Sequence, residues 1–138
     1  MHKLFFDVNV IMDVAESRPP YHAASEKVLS LVETRKAHGF ISAISCPTVY
    51  YLLRRGSSGR VAAEFLQALL KLLAVVEVNA AMLEQALRTS AADYEDAIQM
   101  VCAARVGAHF ILTRDAAGYK HSSVRPLTPS EYLATFAQ

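Results

Sequence analysis

The sequence predicts an α/β protein, a three-layer α/β/α sandwich with a short, mostly parallel sheet between two layers of helices. Two observations carry this. Short apolar runs alternate with longer amphipathic stretches along the whole chain, as strands do when crossover helices separate them. With 138 residues, 53% hydrophobic content and only 5 Gly and 5 Pro, the chain has the make-up of one domain, residues 1–138.

Taken in order, residues 3–7 form the first strand, and "VNVIMDVAES" turns directly into a short helix. "SRPPYHA" interrupts the chain, because two prolines stop one element and permit the next. Ala24, Val28, Leu29, Leu31 and Val32 then recur at helical spacing, with Gly39 read as the stop. "FISAI" is the second strand, and "SCPTVYYLLRR" a helix with Pro47 in its first turn. "GSSGR" is a turn, "VAAEFLQALLKLL" a helix, "AVVEV" a third strand and "AAMLEQALRT" a helix. "SAADYEDAIQMVCAARVGAHFILTRD" reads as a helix, a stop at Gly107 and a strand over 109–113. "SVRPL" is a last edge strand, and a closing helix follows with Thr128 as cap and Pro129 at its start. No repeat, linker or low-complexity tract is present.

Net charge is +1, from 14 Lys and Arg against 13 Asp and Glu, so no global field draws the chain to nucleic acid or membrane. Any basic patch must be local. Cys46 and Cys102 form no CxxC motif and read as buried thiols in a reducing compartment. Asp7 cuts the N-terminal apolar run too short for a signal peptide, and no stretch approaches the ~18 apolar residues of a membrane helix. The expected setting is cytoplasmic, without a membrane partner.

The acidic residues carry the chemistry. In a parallel α/β fold the strand C-termini and helix N-termini share one edge, where ligands bind. Asp7 ends strand one, and Asp115 follows "HFILT" in the same manner. The helix beginning at "DYEDAIQ" feeds that strand, so Asp93 and Asp96 in its first turn reach the same edge. Each has an alternative reading. Asp93 can be an N-cap with Asp96 at N3, and Asp115 a turn residue before Ala-Ala-Gly. Asp13 and Glu95 read as exposed or capping residues. Two carboxylates about 5 Å apart repel by roughly 3 kcal/mol at an effective dielectric of about 20, so a convergent cluster calls for protonation or a cation. An all-oxygen donor set suits Mg²⁺ or Mn²⁺ rather than zinc, and such ions serve phosphoryl chemistry. The five histidines show no HxxxH or HExxH spacing. Arg114, Lys120, His121 and Arg125 make a basic rim beside Asp115, able to hold phosphates or simply to stay solvated.

These blocks, "FFDVNVIMDV", "FISAIS" leading into "TVYYLLRR", "DYEDAIQ", and "FILTRD" followed by "PLTPSEYL", resemble the PIN-domain ribonucleases, the family that includes VapC-type toxins of toxin–antitoxin modules. The resemblance covers nearly the whole chain. It implies a metal-dependent endoribonuclease in which Asp7, Asp96 and Asp115 bind Mg²⁺ or Mn²⁺ and a metal-activated water attacks the phosphodiester. Asn9 and Thr113 match polar positions that orient the cluster and the phosphate. It also implies RNA as substrate, a small antitoxin as partner and a homodimer. One position departs from the family pattern. Where many members carry an acid in the helix after "ISA", this chain has Thr48; a branch of the family also lacks that acid, and Asp93 or Glu95 can compensate for it. That departure supports an alternative, a catalytically degenerate PIN module that binds RNA or a protein. A haloacid-dehalogenase-like phosphotransferase is disfavoured, because Asn9 stands where its second Asp belongs and no suitable lysine follows. A receiver domain lacks its phosphoacceptor Asp, since strand three runs into Glu77-Val78-Asn79.

Overall fold

A computed structural model describes residues 1–89, 91 and 93–136. Five parallel strands, β1 (His2–Phe6), β2 (Ala37–Ser42), β3 (Ala74–Val76), β4 (Phe110–Leu112) and β5 (Arg125–Leu127), lie in the order β3-β2-β1-β4-β5. Helices α1 (Val8–Ala15) and α2 (His22–Glu33) connect β1 to β2, and α3 (Ser45–Gly56) and α4 (Gly59–Leu72) connect β2 to β3. Helices α5 (Ala80–Leu87) and α6 (Tyr94–Arg105) lead into β4, and α7 (Pro129–Phe136) closes the chain. Expected positions Ser90 and Ala92, ahead of α6, lie outside the described residues.

Side-chain alternation along the strands builds the three layers. Leu4 and Phe6 of β1, with Phe110 and Leu112 of β4, point into a core shared with α1, α2, α3, α4 and α7. Phe5 and Ile111 point the other way, against Met82 and Ala86 of α5 and Ala97, Ile98 and Val101 of α6. Both central strands are therefore buried on both faces, which is why they read as unbroken apolar runs. By the same alternation, the residues one step beyond each strand, Asp7 and Thr113, fall on the α6 side. Cys102 is buried, as expected, whereas Cys46 is only partly so; both thiols are free.

Two expectations need correction. Gly39 does not stop α2, which ends at Glu33 with Arg35 in a left-handed conformation (φ 61°). Gly39 instead sits inside β2 opposite Leu4, and a Cβ there would meet Leu73 Cδ2 at 2.4 Å and Val32 at 3.1 Å. The glycine serves close helix–sheet packing, so β2 starts three residues earlier than "FISAI" implied. Asp13, expected at the surface, is fully buried. It lies on the inward face of α1 beside Val10, Ile11 and Met12, and a cation outside its own helix makes this possible: Arg114 Nε stands 2.7 Å from its carboxylate. Among the described residues no helix is long and apolar enough to cross a membrane.

Candidate metal-binding and phosphodiester site

The chain builds outward from β1 to β2 and β3, then returns to place β4 on the other side of β1. A parallel sheet opens a crevice at that reversal, beyond the strand C-termini. Asp7 and Thr113 stand on its two lips, stitched together by Asp7 N–H donating to Leu112 O (3.0 Å).

The two strand ends share one polar network. Asp7 caps α1, its Oδ1 accepting from Val8 N–H at 2.7 Å, while its Oδ2 accepts from Thr113 Oγ1 at 2.8 Å. Asn9 Oδ1 accepts from the Arg114 amide (3.2 Å), and its Nδ2 donates to Thr113 Oγ1 (3.4 Å). The Asp115 amide donates to Thr113 Oγ1 at 3.0 Å. Asn9 and Thr113 thus hold the D-x-N and T-R-D segments together and leave Asp115 at the crevice.

Asp93 is the N-cap of α6, accepting from the Asp96 amide at 3.0 Å. The helix directs Asp96 into the crevice, where Tyr119 Oη approaches its Oδ1 at 3.3 Å. Asp115 caps a short 3₁₀ turn, Ala116–Tyr119, its Oδ1 accepting from Gly118 N–H at 3.3 Å. The remaining oxygens, Asp96 Oδ2 and Asp115 Oδ2, converge over Gly118. A Cβ on that residue would lie 3.0 Å from the first and 2.9 Å from the second. Only a glycine leaves the space between them open.

The electrostatics follow from this crowding. Burial pushes the Asp7 carboxyl above its ordinary range, despite hydrogen bonds from Thr113, Tyr119, Val8 and Gln99. Burial first, then the charges of Asp7 and Asp93, push Asp96 up to about 6. Glu95 is exposed as a residue, but partial desolvation of its carboxyl and the nearby charges of Asp93 and Asp7 raise it as well. Tyr119 is buried, and desolvation together with Asp7 and Asp96 holds its hydroxyl protonated far above neutrality.

These residues fit a hard divalent cation in three respects: the donors are all oxygen, Asp96 carries uncompensated repulsion, and two free carboxylate oxygens flank an open space. Among the described residues, however, no group of three His, Cys, Asp or Glu side chains is close enough to hold a metal as it stands. Both Asp7 oxygens already serve Val8 and Thr113.

Thr48 lies in the fourth position of α3 and turns its hydroxyl back on its own helix, donating to Ile44 O at 3.3 Å. The α3 residue linked to the acids is Ser45, whose Oγ accepts from Gln99 Nε2 at 3.1 Å. Gln99 and Ser45 are fully buried; apolar periodicity gave no reason to single them out, and only a polar residue on the inward face of α6 could have signalled the pair. Lys120, His121 and Arg125 are exposed. Arg114 is withdrawn from the expected basic rim: besides Asp13, its guanidinium lies 4.2 Å from the Tyr21 ring centroid.

The chain is 26% identical over 135 residues to ribonuclease VapC1 of Aquifex aeolicus strain VF5, covering 94% of this chain and 92% of that protein. Its fold is similar to VapBC2 from Rickettsia felis bound to a DNA fragment from their promoter (TM-score 0.69, 11% identity, 91% of this chain and 98% of that one). It is similar also to Mycobacterium tuberculosis VapC20, a Sarcin-Ricin loop cleaving toxin (TM-score 0.69, 17% identity, 85% of this chain and 93% of that one). The family model described as the PIN domain matches residues 3–117. With five parallel strands and acids at the reversal of their order, the chain belongs to the PIN-domain family.

Proposed function

We propose that the protein is a divalent-metal-dependent endoribonuclease that hydrolyses RNA phosphodiester bonds as the toxin component of a toxin–antitoxin module. The observation that carries this reading is the convergence of Asp96 Oδ2 and Asp115 Oδ2 over Gly118, next to Asp7, with Asp96 pushed up to about 6. A site that retains this repulsion is poorly arranged for stability alone. The relation to a ribonuclease over nearly the full length of both chains supports the same reading.

Asp7, Asp96 and Asp115 would hold Mg²⁺ or Mn²⁺, which when bound supplies Lewis-acid stabilisation of charge on a phosphodiester. The protein's own groups prepare the site. Thr113 and Asn9 fix Asp7 and the Asp115 backbone, and the α6 N-terminus favours ionised carboxylates in its first turn. Tyr119 keeps its proton and so remains a donor facing Asp96 and Asp7. Lys120, His121 and Arg125 line the approach for the RNA backbone. Asp93 contributes through the cap that orients Asp96.

For the antitoxin we favour the groove of about 950 Å³ between α2 and α4, lined by Val14, Leu29, Val32, Phe65, Leu69 and Leu72. Its apolar floor and charged margins (Glu26, Glu33, Arg35, Lys71) suit an amphipathic segment. A homodimer and a cytoplasmic location complete the proposal, the latter matching two free thiols.

A second reading, a degenerate module that binds RNA or a protein without cutting, draws on Thr48 and on the absence of a closed three-ligand group among the described residues. Incubating the purified protein with a mixed RNA pool, with Mn²⁺ and with chelator, separates the two. Cleavage that needs Mn²⁺ and is lost in Asp7→Asn is expected; RNA retained intact but bound would favour the degenerate module.

A further inference from the structure

A second polar cleft, of about 310 Å³, lies between α2 and the start of α7, lined by Tyr21, Ala24, Ser25, Arg114, Thr128, Pro129 and Ser130. Three independent features of this cleft point to an anion. Ser25 is 1% exposed, and its Oγ has no hydrogen-bond partner, a condition that buried hydroxyls rarely tolerate. Arg114 presents a cation already fixed in place. Its face rests on Tyr21, and its Nε stands 2.7 Å from Asp13, close but misaligned, so that this N–H is unsatisfied. Its terminal nitrogens meet no protein acceptor among the described residues. The third feature is the first turn of α7. Thr128 and Glu131 satisfy each other reciprocally, Thr128 N–H to Glu131 Oε1 at 2.9 Å and Glu131 N–H to Thr128 Oγ1 at 3.1 Å. Pro129 has no N–H, and Tyr132 N–H is taken by Thr128 O. The Ser130 N–H is left as a first-turn donor facing outward from a helix N-terminus.

We propose that this cleft is a phosphate subsite, in which Ser25 Oγ, the Arg114 guanidinium and the Ser130 N–H receive a backbone phosphodiester of the RNA. It rests on the ribonuclease reading only for the identity of the ligand. Arg114 stands between Thr113 and Asp115 and its amide is held by Asn9, while its guanidinium reaches to the α2 and α7 side of the same strand end. Asp13 fixes the guanidinium and offsets its charge, which makes this a positioning contact of modest strength.

The test is an NMR titration of the full chain, with chelator present, using inorganic phosphate and, separately, a short 5′-hydroxyl oligoribonucleotide that contains only internal diesters. Both should shift the Ser130 amide and the Arg114 Nε–H saturably, with a millimolar dissociation constant for phosphate, while matched chloride leaves them in place. Ser25→Ala, which removes a hydroxyl that has no partner to lose, should weaken both by about tenfold. Linear shifts, equal shifts with chloride, or an unchanged affinity in Ser25→Ala would overturn the subsite. Saturation by phosphate but not by the oligonucleotide would overturn its assignment to RNA. Saturation by the oligonucleotide in a protein that cuts no RNA would uphold the subsite and withdraw the hydrolase reading instead.

Discussion

One carboxylate and a group of three stand at the same end of this sheet, and they are treated in opposite ways. Asp13 is completely buried, yet Arg114 lies 2.7 Å away and Arg18 3.8 Å away. Asp7, Asp96 and Asp115 sit in a more open crevice, and no Lys or Arg pairs with any of them among the described residues. Each gets neutral donors only: a Thr hydroxyl, backbone amides, a Tyr hydroxyl. The fold therefore has the means to neutralise a buried acid and uses it one residue away, through Arg114. The crevice acids are left without such a partner among the described residues, which is the arrangement the proposed cation site calls for.

The largest expected effect comes from breaking the compensated pair. Arg114→Met leaves Asp13 buried with only the distant Arg18, and should cost about 3–5 kcal/mol, read from the denaturant midpoint. The same kind of change in the crevice should have the opposite sign. Asp96 is raised from 3.8 to about 6 in the folded protein, so between these values the native state binds more protons than the unfolded chain. This contribution to stability is present below about pH 4 and is lost as pH rises toward 6. Asp96→Asn should remove that slope and stabilise the metal-free protein at pH 7. After discounting for screening at a partly exposed group, the gain is about 1 kcal/mol. A loss in both variants would erase the contrast between the two sites.

The contrast also explains what could be read from the residues. Asp7 stands out because it ends the apolar run Leu4-Phe5-Phe6, and Asp96 and Asp115 because helix and strand order carry them to the same edge. The parallel sheet and its three layers followed from the alternation of elements. Compensation could not be read in the same way. Asp13 and Arg114 are a hundred residues apart and meet only because α1 packs beside the end of β4, so one looked like a surface acid and the other like part of a basic rim. Gly39 mimics a helix stop for a similar reason, since the neighbours that require a glycine there, Leu73 and Val32, are tertiary ones. Gln99 and Ser45 form a buried pair that local pattern has no means to link.

Smaller changes sharpen the crevice side of the comparison. Gly118→Ala would push a methyl between Asp96 Oδ2 and Asp115 Oδ2. Because the neighbours are flexible carboxylate ends, the fold should tolerate it within about 1 kcal/mol. Stabilisation by Mn²⁺, followed by thermal melting, should largely disappear. Gln99→Leu should have the smallest effect. It removes a hydrogen bond that lowers the Asp7 carboxyl, so Asp7 rises further and the pH midpoint for Mn²⁺ binding moves upward. A midpoint that stays or falls would mean that Gln99 does not act through Asp7.

The most direct test of the uncompensated crevice is the melting temperature of the wild-type chain and of Asp96→Asn at pH 7, each with and without Mn²⁺. A cation that binds only the folded state raises the melting temperature by mass action. Wild type should rise with Mn²⁺, whereas Asp96→Asn should start higher and gain little. A wild-type protein indifferent to Mn²⁺, or a variant that gains as much as wild type, would contradict the account.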